Sequence, residues 1–336
     1  MRILGLLLLV ACGDDVLVID DAPPRDTSVV PDVREPDAST EPTTLMLAGA
    51  IAPTHDPAII QVDGIYMVFG TGAGISVRTS LDLHNWSLSG QVFATKPSWI
   101  TTTDPAHPND LWAPDIAQFG GTYHLYYAAS RFGSNVSCIG HATSASPTSG
   151  TWVDHGAVIC STASDTFNAI DAAAFVDPTG TPWLAFGSFW SGLKLVPLAL
   201  DGTRDGTAMY ALSTRDDAAV EAPFLVARDG WFYLFESVGL CCRGSDSTYE
   251  VRVGRASDVR GPYVDKDGVA LLAGGGTLVV TGDARWKGPG HNAVLRGATG
   301  DFNVYHAYDA TSAGTPTLRI SEMQWTVDGW PRSAGP

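Results

Sequence analysis

With 336 residues, 45% of them hydrophobic, the chain can bury a full-sized core, and its 36 glycines and 21 prolines favour many short strands joined by turns. A formal net charge of −16 leaves nothing to neutralise a phosphate backbone, which excludes nucleic acid as a partner and favours a neutral one such as a sugar.

Met1-Arg2 is a minimal basic segment, and the ILGLLLLV that follows is too short to span a bilayer as a mature helix. Residues 1–12 therefore read as an export signal. Its end, Leu-Val-Ala-Cys, is similar to a bacterial lipobox, in which Cys12 becomes the lipidated first residue; an ordinary signal with an incidental cysteine is the alternative. Residues 13–44 hold nine acids against Arg25 and Arg34, with five prolines, and read as a disordered acidic tether. The expectation is an exported monomer, anchored by lipid at the bacterial surface or outer membrane and touching the membrane only through Cys12.

Beyond the tether, one pattern returns five times: THDPAIIQVDGIYMVFGTG from Thr54, WAPDIAQFGGTYHLYYAAS from Trp112, NAIDAAAFVDPTGTPWLAFGS from Asn168, VEAPFLVARDGWFYLFES from Val220 and GPGHNAVLRGATGDFNVYHAY from Gly288. Each copy has a polar residue, a short apolar strand, a Gly-containing turn and a second strand rich in aromatics. The marker residues Asp56, Asp115, Asp171, Glu221 and His291 lie 59, 56, 50 and 70 apart. A period near 60 suits the four-stranded blades of a propeller better than most solenoid repeats. A looser repeat at 79–90, 143–156 and 255–268 reads as the connection between third and fourth strands. LRISEMQWTVDGWP, at 318–331, then supplies a strand that can close the ring. Residues 45–336 thus form a single all-β domain, a five-bladed β-propeller.

Cys138 and Cys160 fall at the ends of successive predicted strands, where a disulfide is expected. Cys241 and Cys242 are adjacent; a bridge between them is strained, and burial as free thiols is the expectation.

The first strand of every propeller blade lines the central channel, so Asp56, Asp171 and Glu221 converge at one mouth despite their separation in sequence. Several carboxylates among 10 Trp, 10 Tyr and 12 Phe suit carbohydrate, because aromatic faces stack on sugars and paired carboxylates cleave glycosidic bonds. Crowded acids also push their pKa values apart, which allows one to be protonated while another is ionised. Asp115, beside Pro114, reads more readily as a structural residue, and His291 as either a ligand or a satisfied core histidine.

These stretches together resemble glycoside hydrolase family 43, and within it the endo-1,5-α-L-arabinanases. The resemblance covers about residues 50–332 and lies in HDPAII, WAPDI, FGSNVSCIGHATS, FNAIDAAAFVD, GSFWSGLKL, EAPFL, CCRGSDSTYEVRVGRAS, GPYVDKDG, GPGHNAV and LRISEMQWTVDGWP. It implies inverting hydrolysis of internal α-1,5 bonds in linear arabinan. Asp56 would be the general base, Glu221 the general acid and Asp171 the residue that tunes the acid, with acid and base about 6.5 to 9.5 Å apart. Asn168, Ser188, Phe189 and Trp190 match substrate-contacting positions, and Trp112 either stacks on a sugar or belongs to the core. His291 matches a histidine near a channel calcium whose other ligands are mostly water, a structural or electrostatic ion rather than a Lewis acid. Where the family commonly has Pro after the middle Asp, this chain has Ala172, which removes no chemical group. Two alternatives share these residues: an exo-acting arabinofuranosidase or xylosidase of the same fold, and a surface protein that binds arabino-oligosaccharide without cutting it.

Overall fold

The computed structural model describes residues 41–103, 107–297 and 300–336, and nearly all their regular structure is strand. Five antiparallel meanders follow one another along the chain. Blade 1 comprises Ala58–Val62, Ile65–Gly70, Ser76–Ser80 and Asn85–Gln91; blade 2 comprises Asp110–Phe119, Thr122–Ala129, Ser137–Ser144 and Val153–Ser161. Blade 3 runs through Ala173–Val176, Pro182–Phe186, Leu193–Pro197 and Tyr210–Ser213, and blade 4 through Val220–Arg228, Trp231–Val238, Glu250–Ala256 and Thr277–Val280. Blade 5 is Trp286–Gly297, Gly300–Asp309, Thr315–Trp325 and Pro331–Ser333. The five repeats are thus the first two strands of five blades, and the fold is the expected five-bladed propeller. The signal segment and the tether up to residue 40 lie outside the described residues.

Local sequence explains the hairpins. At Asp63-Gly64 and Asp229-Gly230 both central turn residues have positive φ, the conformation that Asp and Gly tolerate and that matches the twist of the flanking strands. The core lies between neighbouring blades. Phe69 and Ile75 of blade 1 pack with Leu111, Leu125 and Tyr127 of blade 2, and Ala185, Leu193 and Leu195 of blade 3 pack with Leu225 and Leu234 of blade 4. Burial on both faces is why the inner strands read as continuous apolar runs.

Hydrogen bonds near the channel mouth tie each blade to the next. The N–H of Ala113 donates to Thr71 Oγ1 (2.8 Å), Ala174 N–H to Asp115 Oδ2 (2.6 Å) and Ala222 N–H to Asp171 Oδ2 (3.2 Å). His291 N–H donates to Ser237 Oγ (2.8 Å), and Asp56 N–H to His306 Nδ1 (3.2 Å), which joins blade 5 back to blade 1. Asp115 is therefore a structural residue, an acceptor that ties blade 2 to blade 3.

On the rim, the segment before blade 1 staples the ring. Leu45 N–H donates to Ile320 O and Glu322 N–H to Thr43 O, both at 2.8 Å, while Ala48–Gly49 runs parallel to the outer strand of blade 1. Thr43 and Thr44, assigned from composition to the tether, belong to the propeller: backbone pairing with blade 5 outweighs their polar, Pro-flanked context.

The Cys138–Cys160 disulfide forms between directly paired residues of the third and fourth strands of blade 2. The expectation of free, buried thiols at Cys241 and Cys242 is not met. The two form a disulfide with each other, and Cys242 is exposed. Cys242 adopts a left-handed φ of 65°, a backbone choice that adjacency in sequence does not reveal.

Candidate active site

Each blade carries a left-handed residue where its inner strand meets the channel mouth: Asp56 (φ 50°), Ala113 (44°), Asp171 (57°), Ala222 (55°) and His291 (51°). The structural equivalent of Asp56 is thus Ala113 in blade 2 and Ala222 in blade 4, two residues before Asp115 and one after Glu221. The left-handed kink turns the chain at each blade's entry, and in blades 1, 2, 4 and 5 the N–H of the kinked residue itself donates to the neighbouring blade.

Around this mouth lies a cavity of about 640 Å³. It is lined by all nine residues singled out from sequence: Asp56, Asp171, Glu221, Asn168, Ser188, Phe189, Trp190, Trp112 and His291. The loops between second and third strands form its rim. Blade 2 contributes Phe132, which is 81% exposed; blade 3 contributes Trp190, 39% exposed; blade 4 contributes Leu240 to Arg243. Phe189 and Trp190 both have positive φ, in a turn tied to the strand of Glu221 by Phe189 N–H on Val220 O at 2.9 Å. Asn168 lines the cavity, is 2% exposed, and its Oδ1 has no hydrogen-bond partner among the described residues.

The three carboxylates sit in different surroundings. Asp56 Oδ2 accepts from Thr71 Oγ1 (2.5 Å) and lies 2.7 Å from His55 Nδ1, while Oδ1 lies 3.2 Å from His291 Nδ1. Burial pushes the pKa of Asp56 up, but His55 first, then His291 and His306, outweigh it and hold the group ionised, well below the usual carboxylate range. His55 itself is raised, Asp56 and Glu221 prevailing over burial. Of the roughly four lone-pair positions on a carboxylate, three are engaged, which leaves one on Oδ1.

Glu221 is arranged the other way. Ser188 Oγ donates to Oε2 at 2.5 Å and Tyr249 Oη to Oε1, and the two hydroxyls fix the carboxyl in place. Burial, opposed by the Ser188 bond and assisted by the charge of Asp56, raises its pKa to about 7. Asp171 is raised well above 3.8 by burial and then by repulsion from Glu221 and Asp56, against a weak pull from Ala222 N–H. Within one cavity, Asp56 is thus shifted toward the ionised form and Glu221 and Asp171 toward the protonated form.

The model of glycosyl hydrolases family 43 matches residues 51–331. The chain belongs to that family. It is 42% identical over 283 residues to the extracellular endo-α-(1→5)-L-arabinanase 1 of Bacillus subtilis, an alignment covering 82% of this chain and 86% of the relative. It is 40% identical over 297 residues to the extracellular exo-α-(1→5)-L-arabinofuranosidase of Cellvibrio japonicus, covering 83% and 85%. Among solved structures, the family 43 endo-arabinanase from Bacillus licheniformis superposes with a TM-score of 0.82 at 43% identity, over 86% of this chain and 99% of that one.

Within this family 43 site, several residues were not found from sequence. The repeat pattern gives no role to His55 and does not mark Thr71, Tyr249, His306 or Tyr308. His306 and Tyr308 stand two apart on the second strand of blade 5, hence on one face; the ring of His306 stacks on His55 with centroids 4.0 Å apart, and Tyr308 Oη lies 2.6 Å from His55 Nε2. The available signal was an ionisable residue inside a strand that otherwise reads as buried, in NVYHAYD.

Proposed function

We propose that the protein is an inverting glycoside hydrolase that cleaves internal α-1,5-L-arabinofuranosidic bonds of linear arabinan. The observation that carries this reading is the gathering of three buried carboxylates in one cavity, with His55 and His291 against Asp56 and the hydroxyls of Ser188 and Tyr249 against Glu221. Glu221 gives its proton to the glycosidic oxygen as the bond to the leaving sugar breaks. A water placed on the vacant Oδ1 position of Asp56 attacks the anomeric carbon from the opposite face and gives its proton to that carboxylate. The product is inverted, and the two acids exchange protons with solvent to reset. Protonated Asp171 keeps negative charge off the acid's side of the cavity and donates to a sugar hydroxyl. Asn168 Oδ1 accepts from another, and Trp112, Phe189 and Trp190 offer faces on which furanose rings stack.

The cavity's rim draws on the loops of blades 2, 3 and 4, which supports a chain lying across the mouth rather than one end held by a single loop. The exo-acting reading is favoured by one observation, the 40% identity to the Cellvibrio japonicus enzyme named for that action. Product sizes from linear arabinan decide between them: a spread of oligosaccharides with early loss of viscosity supports internal cleavage, and a single small product from the first minutes supports exo action.

For calcium, the donor set at His291 fits a single attachment. With Nδ1–H directed at Asp56, its Nε2 lone pair is available, the arrangement of a metal-bound histidine backed by a carboxylate. One nitrogen is a poor match for a hard cation that takes oxygen ligands, so water would complete the coordination. When bound, the ion supplies fixed positive charge at the mouth. Export is supported by two relatives described as extracellular. A lipid at Cys12 as the sole membrane attachment, and a monomeric state, complete the proposal.

A further inference from the structure

The disulfide between Cys241 and Cys242 is not accounted for by the reaction above, yet it lines the same cavity and lies against the residues that hold Asp56. Cys242 N–H donates to Tyr308 Oη at 2.8 Å, Tyr308 Oη lies 2.6 Å from His55 Nε2, and His55 Nδ1 lies 2.7 Å from Asp56 Oδ2. Cys242 Sγ is also 3.9 Å from His55 Nε2. We propose that this vicinal disulfide is a positioning element for the general base, acting through Tyr308 and His55 on Asp56. The inference rests on the reading of Asp56 as the base.

Cys242 N–H on Tyr308 Oη and Tyr308 Oη against His55 Nε2 form one chain that fixes the His55 ring with its Nδ1 toward Asp56. His55 presents Nδ1–H to Asp56 in that orientation, so a backbone amide on the rim orients an imidazole beside the carboxylate. The amide needs fixing. Cys242 sits at φ 65° in an exposed loop, a conformation a non-glycine residue seldom holds unaided. The neighbouring ties, Thr248 N–H on Leu240 O and Arg243 N–H on Ser247 Oγ, flank the cysteine pair without setting the plane of the peptide between the two cysteines. The ring closed by the two sulfurs does set it.

A double-mutant cycle on linear arabinan tests this, with Tyr308→Phe, Cys241→Ser/Cys242→Ser and their combination, each checked for an unchanged melting temperature. A base held out of line slows the chemical step and leaves ground-state binding alone, so kcat falls about tenfold in each variant with KM unchanged, and the combination is no slower than Tyr308→Phe. An activated aryl arabino-oligosaccharide shows the same loss, because a good leaving group relieves a defect in the acid but not in the base. If the cysteine variant does not fold, the native disulfide is reduced instead in a Cys138→Ser/Cys160→Ser background with a dithiol. Two electrons and two protons pass from the dithiol to the sulfurs, giving two thiols and the reductant's own disulfide, with the same expected fall in kcat.

Unchanged kcat, a rise in KM alone, or additive losses would overturn the inference; the second outcome would make the disulfide a wall that touches substrate. Asp56→Asn run alongside separates the two claims. If that variant stays active, the base assignment itself fails, whereas an inactive Asp56→Asn beside a fully active Tyr308→Phe removes only the disulfide's part.

Discussion

Thr71 Oγ1 donates to Asp56 Oδ2 at 2.5 Å while it accepts the N–H of Ala113 at 2.8 Å, so one hydroxyl both holds the proposed base and locks blade 1 to blade 2. Thr71→Val keeps the shape and removes both bonds. It leaves the Ala113 N–H without its acceptor, which costs about 1–3 kcal/mol of stability. The variant should melt lower and turn over more slowly, and Thr71→Ser should restore both properties. Thermal unfolding and steady-state kinetics on linear arabinan read the two effects together.

In the proposed mechanism the alkaline limb of the pH profile belongs to Glu221. Its pKa is raised to about 7, and the reaction needs the protonated form, so activity should fall as pH rises through that value. Glu221→Gln keeps the hydrogen bonds from Ser188 and Tyr249 in part but cannot give a proton. It should lose roughly 10²- to 10⁴-fold in kcat on arabinan and the alkaline fall with it. An aryl substrate with an activated leaving group should recover much of the rate, which a folding defect would not allow.

Asp115 predicts a stability effect of definite sign. Burial raises its pKa to about 7 against the N–H groups of Ala174 and Ile116, from 3.8 in the unfolded chain. The folded protein therefore holds a proton that the unfolded chain has released between those values. The contribution of this group is fully present below pH 3.8 and is lost as pH rises toward 7. Asp115→Asn, which keeps an acceptor for Ala174, should raise the melting temperature relative to the parent at pH 8 and have little effect near pH 4. Equal shifts at both values would contradict the assignment.

The Cys138–Cys160 bridge closes a span of 22 residues on the outer strands of blade 2, away from the cavity lining. Replacing both with Ser should cost about 3 kcal/mol by loop-closure entropy and leave kcat unchanged. Urea unfolding beside kinetics checks it, and a matching loss of activity in the folded variant would place the bridge nearer the chemistry than the fold suggests.

For the ion, dialysis against chelator should lower activity, and calcium should restore it. His291→Ala should lose the response to calcium, while its fold is kept by the backbone N–H bond to Ser237, which does not depend on the side chain. Direct binding of calcium measured by calorimetry, absent in the variant, gives a readout independent of turnover.

How much of this is legible in the sequence depends on what repeats. The five apolar strand pairs and their turns recur because every blade meets the same packing problem, and aligning them brought Asp56, Asp171 and Glu221 to one mouth. The finer register was not legible. Asp115 aligned as a marker, yet the left-handed entry of blade 2 is Ala113, a residue whose side chain gives no sign of its φ. Thr43 and Thr44 were lost to the tether because an edge-strand staple is built from backbone bonds, which composition does not report. The Cys241–Cys242 bridge was misread for the same reason, and His306 and Tyr308 were hidden by alternation within a core strand. Side chains at the repeated blade entry are visible, whereas those on second strands and in loops, and whatever backbone conformation places, are not.

The most direct test of the central claim is the configuration of the first product. Proton NMR of linear arabino-oligosaccharide in the first moments of hydrolysis, before mutarotation, should show the new reducing end as the β-anomer, as an ionised Asp56 activating water opposite a protonated Glu221 requires. An α-anomer at the earliest time would mean that a carboxylate attacks the sugar itself, and would contradict the account.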